Sequence, residues 1–300
     1  MADLRVNVAG VEFQNPLIAA SGAFGFGHEY NEFYPLSALG GISCKGITIK
    51  ERPGNPPPRV TETPGGMLNA VGLQNPGVDH FIEHDLPWLS HQGTKIIANV
   101  AGNAPEDYCA TVEKLNDTCV DMVELNISCP NIARGGALVG GTPESAAEVV
   151  RAVRPRVSRP LLVKMAPVRV PEVARACEAE GADALSLINT VNGMSIDVRT
   201  RRSRLSKPTG GVSGPAIHAI AVRMVWEAAQ AVEIPINGMG GVASWRDAAE
   251  MILAGATAVT VGTASFYDPT CASDVVDGLA SWAAEQGVSD INELIGAFEC

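Results

Sequence analysis

The run Asn126-Ile127-Ser128-Cys129-Pro130-Asn131 sets one thiol between two carboxamides at the exit of an apolar stretch, Met122 to Ile127. A thiol does chemistry when something lowers its pKa or places it against an acidic C–H or an electrophile. Asn126 and Asn131 carry no charge with which to shift Cys129. Their amides can, however, donate to and accept from a planar, heteroatom-rich substrate and fix it beside the sulfur. Pro130 stiffens the chain just after the thiol. Cysteine is also among the most buried residue types and more often packs as an inert small hydrophobe. The reading of Cys129 as a proton-abstracting base therefore depends on where the rest of the chain puts it.

After a short hairpin (Leu4 to Val8, then Val11 to Phe13, turning at Ala9-Gly10), brief apolar runs alternate with longer amphipathic ones through eight cycles. The expected strands are Leu17 to Ala20, Gly41 to Lys45, Lys95 to Val100, Met122 to Ile127, Leu161 to Met165, Ala184 to Asn189, Ile234 to Asn237 and Ala258 to Gly262. Helical patterns lie between them at Pro105 to Leu115, Pro143 to Val153, Val170 to Ala179, Ile217 to Val232 and Trp245 to Leu253, with one more helix expected over Asp290 to Phe298. Near-continuous apolar strands recurring about every 30 residues predict an α/β fold, a closed (β/α)8 TIM barrel, rather than an open sheet. No low-complexity linker divides it, so residues 1–300 read as a single domain.

Such barrels carry their active sites at the C-terminal ends of the strands, so those positions form one constellation. They are Ser21, Lys45, Asn99, Asn126 with Cys129, Lys164, and Asn189 with Thr190, followed by glycines after the last two strands. No Asp, Glu or His is among them, which argues against a divalent metal and against paired-carboxylate glycoside chemistry. Two lysines among carboxamides suit a flat, anionic ligand, although either lysine alone could simply snorkel to the rim. Glu124 shares a strand face with Asn126 and needs a buried partner that the sequence does not identify.

Glycine clusters supply an independent signal. Gly238-Met239-Gly240-Gly241 precedes a helix capped by Ser244, Val261-Gly262-Thr263-Ala264 follows the last strand, and Gly210-Gly211-Val212-Ser213-Gly214-Pro215 runs into a helix start. Loops after strands seven and eight commonly bind phosphate through backbone N–H groups. A phosphate could belong to a substrate, with Lys164 then a Schiff-base nucleophile. The cysteine loop and carboxamide ring describe a second ligand beside it, and flavin mononucleotide (FMN) plus a planar substrate fits both.

Composition narrows the partners. The 22 basic and 33 acidic residues leave a charge of −11 with no basic patch, which disfavours nucleic acid and anionic membranes. The seven cysteines are irregularly spaced and give neither a disulfide framework nor a zinc pattern, which suits a reducing cytoplasm. The first residues lack signal-peptide character, and no apolar run approaches the roughly 20 residues of a membrane span. Two connections are too long to be passive. Glu51 to Gly77 is proline-rich around an apolar core, and Thr190 to Val212 carries Arg199, Arg201, Arg202, Arg204 and Lys207. The basic loop reads either as a solvated surface or as a docking element. The glycine-rich Arg134 to Gly141 segment has the composition of a lid over Cys129.

Almost end to end, these residues resemble the class 1 dihydroorotate dehydrogenases, most closely the class 1B catalytic subunit. The resemblance is carried by Asn15-Pro16, Ala20-Ser21-Gly22, Gly25-Phe26-Gly27, Gly54-Asn55-Pro56, Met67 to Gly77, the cysteine motif and the glycine loops. It implies an FMN enzyme oxidising (S)-dihydroorotate to orotate in pyrimidine (UMP) biosynthesis, with Cys129 removing the C5 proton while hydride passes from C6 to flavin N5. It further implies that Lys45, Asn69, Ala70, Val71, Gly72, Leu73, Asn126, Asn131, Asn189 and Thr190 hold the substrate. By the same resemblance Ser21, Lys45, Gly46, Asn99, Asn126, Lys164, Ile188, Gly214, Gly240, Gly241, Gly262 and Thr263 hold FMN. Class 1B enzymes are similar in pairing a homodimer of this chain type, in a heterotetramer, with an FAD and iron–sulfur subunit that passes electrons to NAD+. This chain has neither a second nucleotide fold nor a four-cysteine cluster, so those cofactors belong to another polypeptide. The membrane-associated class 2, with serine as base, is less similar. A fumarate-linked class 1A enzyme and a dihydropyrimidine (uracil or thymine) dehydrogenase remain the alternatives. Arg134-Gly135-Gly136-Ala137-Leu138 and Gly25 to Tyr30 look more like 1B, and Asn131 stands where the dihydropyrimidine enzymes tend to carry His.

Overall fold

A computed structural model describes residues 2–128, 133–134 and 137–299. Eight parallel strands close into a barrel, each hydrogen-bonded to the next in sequence and the last to the first. They are Leu17–Ala19, Gly41–Ser43, Lys95–Val100, Met122–Asn126, Leu161–Lys164, Ala184–Leu187, Ile236–Met239 and Ala258–Val261. Every residue in them except Lys95 is buried, which is why these runs lack the polar alternation of a one-sided sheet. The seventh strand sits two residues later than the sequence suggests. Pro235 has no N–H to give a ladder, whereas Gly238 and Met239 pair onward with Val259 and Thr260.

Helices Pro105–Leu115, Pro143–Val153, Val170–Ala179 and Trp245–Leu253 have the bounds that their patterns predict. Thr142 and Ser244 cap two of them with side-chain oxygens, satisfying amides that the first turn leaves free. The helix expected over Ile217 to Val232 is instead a 3-10 turn, Pro215–Ile217, continuing into His218–Ala229. The helix expected over Asp290 to Phe298 shrinks to a single 3-10 turn, Ile291–Leu294. Asp290 and Glu293 cap that turn reciprocally, and Gly296 at φ +70° then takes the chain out of helical geometry. No helix among the described residues is long and apolar enough to cross a membrane.

The two long connections prove to be one structure. Val60–Thr63 and Gly66–Asn69 from the first pair with Gly210–Ser213 and Val191–Gly193 from the second, forming a four-stranded antiparallel sheet. Its register sets Asn69 opposite Gly211 and Met67 opposite Ser213. Leu68, Ala70 and Leu205 make a small core of their own beneath it, packed with Val212. The basic residues project from the far side: Arg199, Arg201, Arg202, Arg204 and Lys207 are all exposed, around a short ladder of Ile196–Asp197 with Arg202–Ser203.

Candidate active site

The loops that leave the C-terminal ends of the barrel strands, together with the four-stranded sheet, enclose a cavity of about 360 Å³. That is large enough for a small ligand with a cofactor fragment. Its wall contains Ser21, Lys45, Gly46, Asn126, Lys164, Ile188, Asn189 and Thr190 from the barrel side. Asn69, Val71, Gly72 and Leu73 reach it from the long proline-rich connection, and Gly214, Gly240, Gly241, Gly262 and Thr263 from the glycine loops. Two expected residues stand behind the wall. Asn99 is fully buried, behind Asn126 and Gly46, and Ala70 packs into the small core under the sheet. Cys129 and Asn131 lie outside the described residues, as do Gly135 and Gly136 of the expected lid. On either side of the glycine pair Ala133–Arg134 ladders with Ala137–Leu138, and Gly140 N–H donates to the Ile127 carbonyl at 2.9 Å.

Glu124 finds the partners that sequence could not name. Its carboxylate is fully buried and one oxygen accepts from Ser43 Oγ at 2.7 Å and from the Asn99 amide. A carboxylate only accepts, so Asn99 must turn its N–H groups inward and its carbonyl toward Asn126. Asn126 Nδ2 donates to that carbonyl at 3.4 Å, while Asn126 Oδ1 accepts from Ser128 Oγ at 2.8 Å. The Ser128 carbonyl in turn accepts from Asn189 Nδ2 at 3.2 Å, and Tyr108 OH holds the Asn126 carbonyl at 2.9 Å. One buried carboxylate thereby fixes the polarity of a chain of carboxamides that ends at the residue preceding Cys129. Asn126 itself forms part of the cavity wall.

The glycine loops meet as the sequence suggests. Gly214 is at φ +96°, and a side chain there would strike Gly66 Cα at 2.7 Å. A side chain on Gly241 would strike the Gly214 carbonyl at 2.9 Å, so loops six and seven touch backbone to backbone. Thr263 Oγ1 donates to Ser213 Oγ at 2.7 Å and ties in loop eight. The described part of the cavity wall holds no Asp or Glu, and it has two lysines, Lys164 being 5% exposed. Glycine-loop backbone, side-chain hydroxyls and two lysines fit a phosphate monoester joined to an electron-poor ring, as in FMN.

Sequence reasoning passed over Ser213, Thr260, Met239 and Phe266, which also line the cavity. Ser213 lay inside a quoted glycine run, but Thr260 sits within an apolar strand and carries no local signal. The other cysteines offer no competing nucleophile among the described residues that are buried. Burial pushes the Cys177 thiol up to about 12, and burial together with nearby aspartates pushes Cys271 up to about 11. No described group of three or more His, Cys, Asp or Glu side chains is arranged to hold a metal.

One position tests how closely the sheet and the phosphate loops are joined. A Cβ on Gly66 would lie 1.9 Å from the Ser213 carbonyl oxygen, a contact no side chain can make without parting the two strands. Gly66→Ala is expected to destabilise the protein by about 1–3 kcal/mol, read as a lower midpoint in urea unfolding.

Comparison with known proteins agrees with this geometry. The profile of the dihydroorotate dehydrogenase family matches residues 3–282. Three similar curated proteins are each named dihydroorotate dehydrogenase B (NAD(+)), catalytic subunit. The protein of Geotalea uraniireducens is 50% identical over 298 residues, covering 98% of each chain. That of Petrotoga mobilis is 49% identical over 298 residues, covering 99% of each, and that of Bacteroides thetaiotaomicron is 48% identical over 302, covering 100% of each. A match along the whole barrel, together with a cavity that joins a carboxamide chain to glycine loops, leads to one conclusion: this chain belongs to the dihydroorotate dehydrogenase family.

Proposed function

We propose that this chain oxidises (S)-dihydroorotate to orotate in pyrimidine biosynthesis, as one FMN-binding barrel acting in the cytoplasm. The observation that carries the reading is that Asn126 and Asn189 line the same cavity as the glycines Gly214, Gly240, Gly241 and Gly262. Ser21, Lys45, Gly46, Asn99, Asn126, Lys164, Ile188, Gly214, Gly240, Gly241, Gly262 and Thr263 hold the flavin, Asn99 acting through Asn126. When bound, FMN supplies the acceptor for the C6 hydrogen and its two electrons. Lys164, 5% exposed at the exit of the fifth strand, counters negative charge developing beside it.

Asn69 to Leu73, Asn126, Asn131, Asn189, Thr190 and Lys45 hold the pyrimidine ring and its carboxylate. Asn69 is itself braced, its Nδ2 donating to Gly211 O at 3.3 Å across the sheet. Cys129 takes the C5 proton. A free thiol is far too weak a base for such a carbon acid, so close placement and departure of the C6 hydrogen supply most of the driving force.

The names of the relatives, catalytic subunit of an NAD(+) enzyme, support a partner subunit and no more than that. We propose further that the chain forms a homodimer and joins an FAD and iron–sulfur subunit in a heterotetramer. The exposed Arg199 to Lys207 loop is one candidate docking element for it. Anaerobic dihydroorotate is expected to bleach the bound flavin of the purified chain, and orotate to bind more tightly than uracil. No bleaching would overturn the reading, and preference for uracil would favour the dihydropyrimidine alternative. Co-purification of the untagged complex with FMN, FAD and iron–sulfur absorbance is expected, whereas an FMN-only enzyme turning over on fumarate would move it to class 1A.

A further inference from the structure

His218 has no role in anything described above, and its ring does not line the cavity. It is nevertheless only 12% exposed at its side chain and sits directly behind the glycine loop of the seventh strand. A Cβ on Gly241 would lie 2.7 Å from His218 Cβ, so the loop is pressed against this residue. His218 Nδ1 lies 2.9 Å from the Gly240 carbonyl oxygen. A carbonyl can only accept, so Nδ1 carries the proton in that contact.

The loop needs such a restraint. Gly240 at φ +131° and Gly241 at φ +72° flank one peptide, and two successive glycines let that peptide turn over at little cost. In a trans peptide the N–H points opposite to the C=O. Holding the Gly240 carbonyl toward His218 therefore turns the Gly241 N–H away from it, and both glycines line the cavity. Among the described residues that N–H has no hydrogen-bond partner, as expected of a donor kept for a ligand.

His218 begins the helix His218–Ala229. Its Nε2 has no hydrogen-bond partner among the described residues; it lies 3.3 Å from Glu250 Oε2 and 3.7 Å from Asp247 Oδ1, carboxylates that pair with the ring only when Nε2 also carries a proton. Asp247 itself accepts from Ser244 Oγ at 2.8 Å and from Ala243 N at 3.0 Å at the start of the next helix. The Nδ1 contact is thus the hydrogen bond that ties the helix after strand six to the loop after strand seven.

We propose that His218 is a positioning residue that locks the Gly240–Gly241 peptide with its N–H turned into the cavity, where it binds the phosphate monoester of the cofactor. The inference rests on the reading of the cavity as an FMN site and adds a residue to it. Because it concerns the phosphate alone, riboflavin, which lacks that group, is the control ligand.

Flavin release from the diluted holoenzyme and rebinding to the deflavinated enzyme are followed by flavin fluorescence. His218→Leu removes the donor at similar size and is expected to weaken FMN about ten- to a hundredfold while changing riboflavin affinity less than about twofold. His218→Asn carries an amide N–H near the Nδ1 position and is expected to stay within about threefold of the wild type for FMN. Should His218→Leu fail to fold, His218→Gln replaces it, since its amide reaches the Nε2 position and leaves the carbonyl free. The inference is overturned if loss of the donor weakens FMN and riboflavin equally, if it weakens neither, or if Asn is no better than Leu. Wild-type protein that bound neither flavin would instead overturn the cofactor reading, and with it the inference.

Discussion

Cys129→Ala is expected to lower kcat for dihydroorotate by about a hundred- to ten-thousandfold, the usual range for loss of a general base. The flavin content and absorbance of the variant are expected to match those of the wild type, because the glycine cradle lies on the other loops of the cavity. The position of the residue before it gives the prediction its weight. Ser128 is 2% exposed, its hydroxyl bound to Asn126 and its carbonyl bound to Asn189, so the chain enters Cys129 from a fixed point between two cavity amides. Stopped-flow reduction under anaerobic conditions separates this step from acceptor turnover. Fast flavin reduction in the alanine variant would remove Cys129 from the mechanism, whatever its neighbours do.

The second large effect belongs to a residue that touches no ligand. Glu124→Ala is expected to cost about 2–4 kcal/mol of stability, read as a lower urea midpoint at unchanged slope. Truncation strands the Asn99 amide and the Ser43 hydroxyl in a site with no access to water, and a stranded buried donor costs more than a made hydrogen bond returns. Near the melting temperature a functional consequence is harder to see, so it is measured well below it. There KM of Glu124→Ala for dihydroorotate is expected to rise about tenfold or more with little change in flavin binding, because nothing then holds the Asn99 carbonyl toward Asn126. Glu124→Gln is the control: one Glu124 oxygen takes both hydrogen bonds and the other has no partner among the described residues, so the glutamine carbonyl can serve both donors and KM is expected to stay near that of the wild type. An unchanged KM in Glu124→Ala would show that the carboxamide chain does not orient Asn126.

Local pattern carried much of this. The eight apolar runs were legible because a strand buried on both faces needs apolar residues at every position, and that demand is written in consecutive residues. Strand ends were legible by the same rule, since a barrel must bring all of them to one rim. Ser21, Lys45, Asn126, Lys164 and Asn189 therefore met around one cavity without any knowledge of their distances. Helix bounds held where a cap or a proline marked the start, as at Thr142-Pro143, Ala104-Pro105 and Ser244. The final stretch failed because its capping box truly starts a helical turn, which Gly296 then ends within one turn.

The sequence by itself thus determined the barrel and the chemical types on its rim, because periodicity and strand order are properties of neighbouring residues. Only the tertiary structure decided which partners those groups take. Asn69 meets Gly211 across 142 positions of chain, and Glu124 meets Ser43 across 81. Nothing in residues 51–77 announces that their apolar core pairs with residues 190–212 to roof the cavity. Nor does the His218 helix start announce that its ring holds a glycine carbonyl. Such contacts are fixed by closure of the barrel, which sets the distance and angle between loops far apart in sequence; a hydrogen bond depends on both.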